Sequence, residues 1–271
     1  MKYFSLIFIL LFSFIINSCA LQINALKNLT TAKKSFVKIE TLVKFKTCEL
    51  EKDPKLCDPY MLFSSGSGMV IHYNNSKAIL TAAHVCKVNE FKGMLGPFEG
   101  TKIVLRATDR DNKIFYVDVI KYDVDLDICL LNAEKLPVSA IKVSSVKPVY
   151  GDRVYNISAP VGIADGEMVP LYEGFFFGIS ENRAFYSIPV IGGSSGSAIL
   201  NAKGEVIGMI HSVHYRFHHI SLSVTHSNLW NFVNSSYNHT SKSQNKCLRS
   251  DSVPNHIGES LPYNQPDLES Y

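Results

Sequence analysis

The chain has little charge of either sign. Charged residues make up 19% of its 271 positions, and the formal balance is +3. So small a surplus gives no electrostatic reason to bind nucleic acid or an acidic surface, and it excludes nucleic acid as an expected partner. Long apolar runs are also missing. The run from Phe4 to Ile16 has 13 residues, short of the ~20 that a membrane-spanning helix needs. Helical periodicity is almost absent, which argues for an all-β barrel chain. Histidines cluster in His211-Ser-Val-His-Tyr-Arg-Phe-His-His219, and several of them are expected as solvated loop residues; their spacing fits no standard metal site, so neither metal nor cofactor is expected.

What is present is apolar content, 46% of residues, enough for a sizeable core. At the N-terminus one lysine, Lys2, precedes the apolar run, and small and polar residues follow it. Residues 1–19 therefore read as a signal peptide outside the fold. Ile16-Asn-Ser-Cys19 resembles a bacterial lipobox, with Asn17 as a departure. The expectation is export, either to free secretion or to a membrane held only through a lipid on Cys19. Residues 20–34 read as a tether and residues 234–271 as a disordered tail poor in aliphatics. The six cysteines of an exported chain can pair. Cys48 and Cys57 bracket a short polar loop and are the favoured disulfide. Cys129, inside an apolar strand, reads as a reduced core residue, and Cys247 as unpaired.

Between tether and tail the pattern is period two. Val37, Ile39, Val43 and Phe45 alternate in the first strand. Asn74-Asn75 separates two strands as a hairpin turn, and Arg110-Asp111-Asn112 separates another pair. A connector from Asn132 to Lys147 leads to a second series of strands, the last near Ile220–Val224. Ser227 is placed to cap a final short helix carrying Leu229, Phe232 and Val233. Short strands and many turns predict an all-β chain.

Three stretches carry chemistry. Gly193-Ser-Ser-Gly-Ser197 holds a serine between glycines, a turn that can present a hydroxyl beside converging backbone N–H groups. Leu80-Thr-Ala-Ala-His84 ends an apolar strand on a histidine, and Asp127-Ile-Cys-Leu-Leu131 opens another with an acid. A serine nucleophile needs a base, and the base needs a carboxylate to fix its tautomer. The separations of 43 and 68 residues mean that only a large fold can unite them. Asp123 and Asp125 are nearby alternatives for the acid.

These motifs, in this order, resemble the signatures of the chymotrypsin-fold serine peptidases. Ser65-Gly-Ser-Gly-Met-Val-Ile71, Gly151-Asp-Arg-Val-Tyr-Asn-Ile-Ser-Ala-Pro160 and Gly204-Glu-Val-Ile-Gly208 are similar to strands of the HtrA and glutamyl-endopeptidase branches. The resemblance covers roughly residues 36 to 232. It implies two antiparallel six-stranded β-barrels, at about 35–136 and 146–226 within a protease domain of 35–233, closed by a short C-terminal helix. The remaining tail is too short for the PDZ domain that HtrA proteins append. The resemblance implies a catalytic set of His84, Asp127 and Ser195, and an oxyanion hole at Gly193, Ser194 and Ser195. It puts Pro189 and Val190 at the base of the specificity pocket, and His211, Ser212 and Val213 at the cleft edge. Neither Pro189 nor Val190 is acidic, which argues against a preference for Lys or Arg. The implied substrate is a protein or peptide. Relatives that tie the histidine turn to the preceding strand make Cys57–Cys86 the competing disulfide. Ser194 stands where digestive relatives carry an aspartate that pairs with a freed N-terminus, so activation by clipping is not implied. The competing readings are a protease fold that binds without catalysis and a surface lipoprotein.

The export reading predicts that native protein begins at or near Cys19 or Ala20. Intact-mass analysis that finds Met1 retained would refute both the signal and the lipid assignments.

Overall fold

Alternation builds the first unit. The computed structural model describes residues 22–44, 60–87, 102–166, 168–214 and 216–235. In β1 (Phe36–Lys44), Val37, Ile39 and Val43 are buried, and the strand pairs antiparallel with β2 (Met61–Tyr73) and β4 (Lys102–Asp109). The hairpin from β2 to β3 (Ser76–Thr81) turns on Asn74 and Asn75, whose φ values of 44° and 60° are what a two-residue turn of the right twist requires. The turn after β4 is held by Asp109, whose Oδ1 accepts the N–H groups of Asp111 and Lys113, each at 2.9 Å. β5 (Ile114–Val117), β6 (Val119–Asp123) and β7 (Ile128–Asn132) complete a seven-stranded sheet of order β5-β4-β1-β2-β3-β7-β6. Its two edge strands are joined through a single residue, Asp118, so the sheet must curl until its edges lie close together.

The second unit is a closed barrel of β8 (Arg153–Ile157), β9 (Leu171–Ser180), β10 (Arg183–Tyr186), β11 (Ala198–Leu200), β12 (Val206–His214) and β13 (Phe217–Val224). The fold is thus chymotrypsin-like, with one closed six-stranded barrel and one curled seven-stranded sheet in place of two equal barrels. The barrel strand β11 is apolar on both faces. Ile199 packs inside with Val154, Tyr186 and Ile207, while its neighbours Ala198 and Leu200 join the large core of the first sheet. That large core also takes in Tyr155, Ile157, Met209 and Leu229, so one apolar mass spans both units. The connector after β7 reinforces the junction: Ile141 pairs in parallel with Ile71, and Val143 with Val206.

Four local readings are corrected. Residues 22–33, expected as a tether, form a helix, α1. Leu29 and Ala32 are its buried residues, and Asn28 Nδ2 donates to the Ala202 carbonyl at 3.1 Å. Two apolar contacts in a dozen residues make too thin a stripe to stand out in the sequence. A second short helix, α2 (Ala83–Cys86), follows β3, and the last, α3 (His226–Asn234), is capped by Thr225, whose side chain accepts the Asn228 N–H; Ser227 already lies within the helix. Lys121 Nζ closes its other end, donating to Phe232 and Ser235 carbonyls at 2.5 and 2.9 Å beneath the Tyr73 and Phe232 rings. The histidine stretch, several of whose histidines were expected as solvated loop residues, lies mostly on β12 and β13.

The fourth correction is the disulfide. Cys86 bonds Cys129, with both residues wholly buried. Cys129 is therefore not reduced, and Cys86 is not the partner of Cys57. The favoured pair Cys48 and Cys57 lies outside the described residues, as do Cys19, Cys247 and the chain beyond 235. The bond closes a 43-residue separation. The double variant Cys86→Ala/Cys129→Ala is expected to lose about 2–4 kcal/mol in denaturant unfolding, and an unchanged midpoint would contradict a structural bond there.

Candidate active site

His84 sits in the single turn of α2, held by backbone and side chain together. Its own N–H donates to Asp127 Oδ1 at 2.8 Å, its ring Nδ1 lies 2.7 Å from Asp127 Oδ2, and the Ala83 N–H donates to the Asp127 carbonyl at 3.1 Å. A carboxylate only accepts, so Nδ1 carries the proton and, in the neutral ring, Nε2 is left as the acceptor. Asp127 adopts φ 54°, the left-handed region, which an aspartate tolerates better than most residues. Two residues on from each partner, Cys86 and Cys129 are bonded, tying α2 to β7. Of the alternative acids, Asp123 spends Oδ1 on the Leu126 N–H, and Asp125 is exposed. The histidine ring faces solvent, with 45% of its side chain accessible against 24% for Asp127.

The serine turn comes to this pair across the junction of the two units. The Ser67 N–H on β2 donates to the Ser195 carbonyl at 2.8 Å. Gly66 allows the approach: a Cβ there would lie 2.7 Å from the side chain of Val85 and 3.0 Å from the Ser195 carbonyl. Gly196, at φ 85°, abuts Thr81, Ala82 and the Ser67 carbonyl so closely that no side chain could be added. Thus Ser195 is lodged beside the segment that ends in His84. Behind it, the buried Asn156 donates to the Ser197 hydroxyl at 2.8 Å and to the Ala198 carbonyl at 2.9 Å.

The backbone N–H groups of this turn divide into two sets. Ser194 donates to the Ile191 carbonyl at 3.0 Å, Gly196 to Ile210 and Ser197 to Ser194. Among the described residues no hydrogen bond takes the N–H of Gly193 or of Ser195. Ser194, counted with the hole in the sequence reading, is therefore not a donor to it; its amide is spent within the turn and its side chain is buried. Gly193 takes φ 93°, a value that glycine adopts without penalty.

Next to the turn lies a cavity of about 330 Å³, lined by Pro160, Tyr172, Pro189, Val190, Ile191 and His219. Pro189 and Val190 were singled out from the sequence. Pro160, Tyr172 and Ile191 were missed, because strand periodicity carries no sign of which strand end faces which loop. Ser212 and Val213, like His211, lie half-buried on β12, and His219 from β13 lines the cavity instead. The His211 imidazole is pushed below its ordinary range, chiefly by burial; the Asp127 charge opposes this, while Arg183 and His84 add to it. Its Nδ1 lies 3.0 Å from the Ser212 hydroxyl. Among the described residues there is no group of three or more His, Cys, Asp or Glu suited to a metal.

The geometry can be set beside known proteins. No curated protein matches the chain in sequence. The fold is shared with a serine endoprotease from Yersinia pestis at TM-score 0.56 and 16% identity, over 76% of this chain and 64% of that one. It is also shared with the inactive serine-to-alanine mutant of an M. tuberculosis protein at TM-score 0.53 and 16% identity, over 75% and 87%. The chain thus spans about two thirds of the length of the Yersinia protein. The family model of the trypsin-like peptidase domain matches residues 66–209, just over half of the chain, from within β2 to within β12, and so takes in His84, Asp127 and Ser195. By that match the chain belongs to the trypsin-like peptidase domain family.

Proposed function

We propose that this chain is a serine endopeptidase that cleaves protein or peptide substrates through an acyl-enzyme on Ser195. The observation that carries the reading is the His84–Asp127 pair, with Nε2 left as acceptor and two uncommitted N–H groups at the serine turn. In this mechanism Ser195 Oγ attacks the carbonyl carbon of the scissile bond and its proton passes to His84 Nε2. The carbonyl oxygen becomes negative and is met by the N–H groups of Gly193 and Ser195, donors worth roughly 10²–10³ in rate apiece in comparable sites. Collapse of the tetrahedral species breaks the C–N bond, and the leaving amine takes the proton from His84. Water, deprotonated by His84, then attacks the acyl carbon, and Ser195 leaves with its proton restored. Asp127 orients His84 and stabilises its charged form.

The apolar cavity at Pro189, Val190 and Ile191 is suited to the side chain that precedes the scissile bond. Among the described residues its lining offers no carboxylate, which favours an apolar residue over Lys or Arg. The likeness to HtrA and glutamyl-endopeptidase strands, and export with an optional lipid at Cys19, complete the reading as proposals.

A fluorophosphonate probe is expected to label Ser195 and no other serine. Ser195→Ala should abolish labelling and cost roughly 10⁴-fold or more in hydrolysis while the fold is kept; His84→Ala should come close to that, and Asp127→Asn should be comparable or somewhat milder. Folded wild-type protein that neither labels nor cleaves casein would overturn the reading in favour of a non-catalytic binding role. In a peptide-library profile, apolar residues should dominate before the cleaved bond, and a basic preference would refute the assignment of the cavity.

A further inference from the structure

We propose that Ser67 and Val161 are positioning residues that hold the 191–194 turn in the one form that aims the Gly193 N–H at the reacting carbonyl. The proposal rests on the peptidase reading above. Its starting point is the turn itself: the Ser194 N–H bonds the Ile191 carbonyl, and Gly193, third in the turn, takes φ 93°. That is a type II turn. The alternative type I form differs mainly by rotation of the peptide between Gly192 and Gly193. In that form the Gly192 carbonyl would point where the Gly193 N–H now points, and the hole would present an acceptor to a developing negative charge. Type I is the commoner form and glycine permits both, so the local sequence does not choose.

Two outside contacts make the choice. The Gly192 carbonyl accepts the Val161 N–H at 2.6 Å. In a planar trans peptide the carbonyl and the N–H point in opposite directions, so anchoring the Gly192 oxygen on Val161 turns the Gly193 N–H away from Val161. To deliver its N–H there, Val161 takes φ 48° and ψ 28°, a conformation that costs a β-branched residue of this kind strain. The residue is 62% exposed and gains little from burial in return. Strain kept in an exposed residue whose N–H meets the turn points to a positioning use. Only glycine at 193 lets this segment close in, since a Cβ there would come within 2.8 Å of the Val161 nitrogen.

Ser67 holds the other side. Its hydroxyl donates to the Gly193 carbonyl at 2.8 Å and accepts the Ala159 N–H at 2.9 Å, while its own N–H binds the Ser195 carbonyl at 2.8 Å. The residue is wholly buried, and its carbonyl is fixed in turn by the Thr81 hydroxyl at 2.8 Å. One serine of the first sheet therefore fixes the carbonyls of Gly193 and Ser195 and also links to the segment that carries Val161. Rotation of the 192–193 peptide would break the Val161 bond, and the Ser67 hydroxyl resists any accompanying shift of Gly193.

The test is steady-state kinetics on Ser67→Ala and Val161→Pro, the second removing the N–H and forbidding positive φ at an exposed site. Each is expected to lower kcat per fluorophosphonate-titrated site by about 10- to 100-fold, with KM within threefold. Affinity for a peptidyl trifluoromethyl ketone, whose adduct places an oxyanion in the hole, should fall with kcat/KM. A merely structural role would lower the melting temperature and leave kcat per titrated site unchanged. If Ser67→Ala does not fold, Val161→Pro decides alone. Either folded variant with kcat within twofold of wild type, or a loss confined to KM, overturns the proposal while wild-type turnover leaves the peptidase reading standing. Wild-type protein without labelling or turnover overturns both.

Discussion

The bond from the Ser67 N–H to the Ser195 carbonyl is the point at which a sheet and a barrel become a single site. His84 and Asp127 belong to the first unit and Ser195 to the second, so a shift of the units by an ångström would separate them. A neutral hydrogen bond contributes only about 1 kcal/mol net, too little to hold two units together. The energy comes from the shared apolar core, in which Ala198 and Leu200 face the first sheet while Ile199 faces the barrel interior. Each buried Leu or Ile is worth roughly 1.5–3 kcal/mol, and several cross the junction. Apolar packing is non-directional, however, and sets distance better than register. The parallel bridges at Ile141 and Val143, and the bonds at Ser67, supply the register.

Within the first unit the constraint is tighter. Asp127 is fixed by two carboxylate bonds to His84, by the Ala83 N–H on its own carbonyl and, two residues on, by the disulfide. Thr81 and Cys129 are paired across β3 and β7, so the histidine and the acid leave adjacent strands at matching heights. This redundancy matters for a left-handed aspartate, whose conformation persists only where the surroundings over-determine it.

How much of this could be read beforehand depends on whether the information is local. The alternation of Val37, Ile39 and Val43, the Asn74-Asn75 turn and the three motif stretches each express themselves within a few residues, and all were legible. Helix α1 was not, because Leu29 and Ala32 acquire their meaning only against the 201–204 turn. The disulfide was not, because six cysteines allow roughly fifteen complete pairings and only three dimensions choose among them. The cap moved from Ser227 to Thr225 by two residues, within the ordinary uncertainty of a helix end. Several histidines of the 211–219 stretch were expected as solvated loop residues, yet a hairpin is free to be polar where it meets solvent. Tyr172 and Pro160 reach the cavity from distant segments, a juxtaposition that no window of sequence contains.

The most instructive of these is Ser194. Digestive relatives carry an acid at this position, which pairs with a newly freed N-terminus; a serine makes no such pair. Here the residue is buried, its N–H closes the turn on Ile191, and the carbonyls around it are held by Ser67 and Val161. Neutral hydrogen bonds replace an ion pair. An ion pair is switchable, since it waits on cleavage and titrates with pH, whereas a serine hydroxyl and a main-chain N–H are in place as soon as the chain has folded. Helix α1 leads straight into β1 and binds the 201–204 turn through Asn28. On the proposal above, the turn takes its form from hydrogen bonds made by folding, and the left-handed backbone of Val161 is what that arrangement costs.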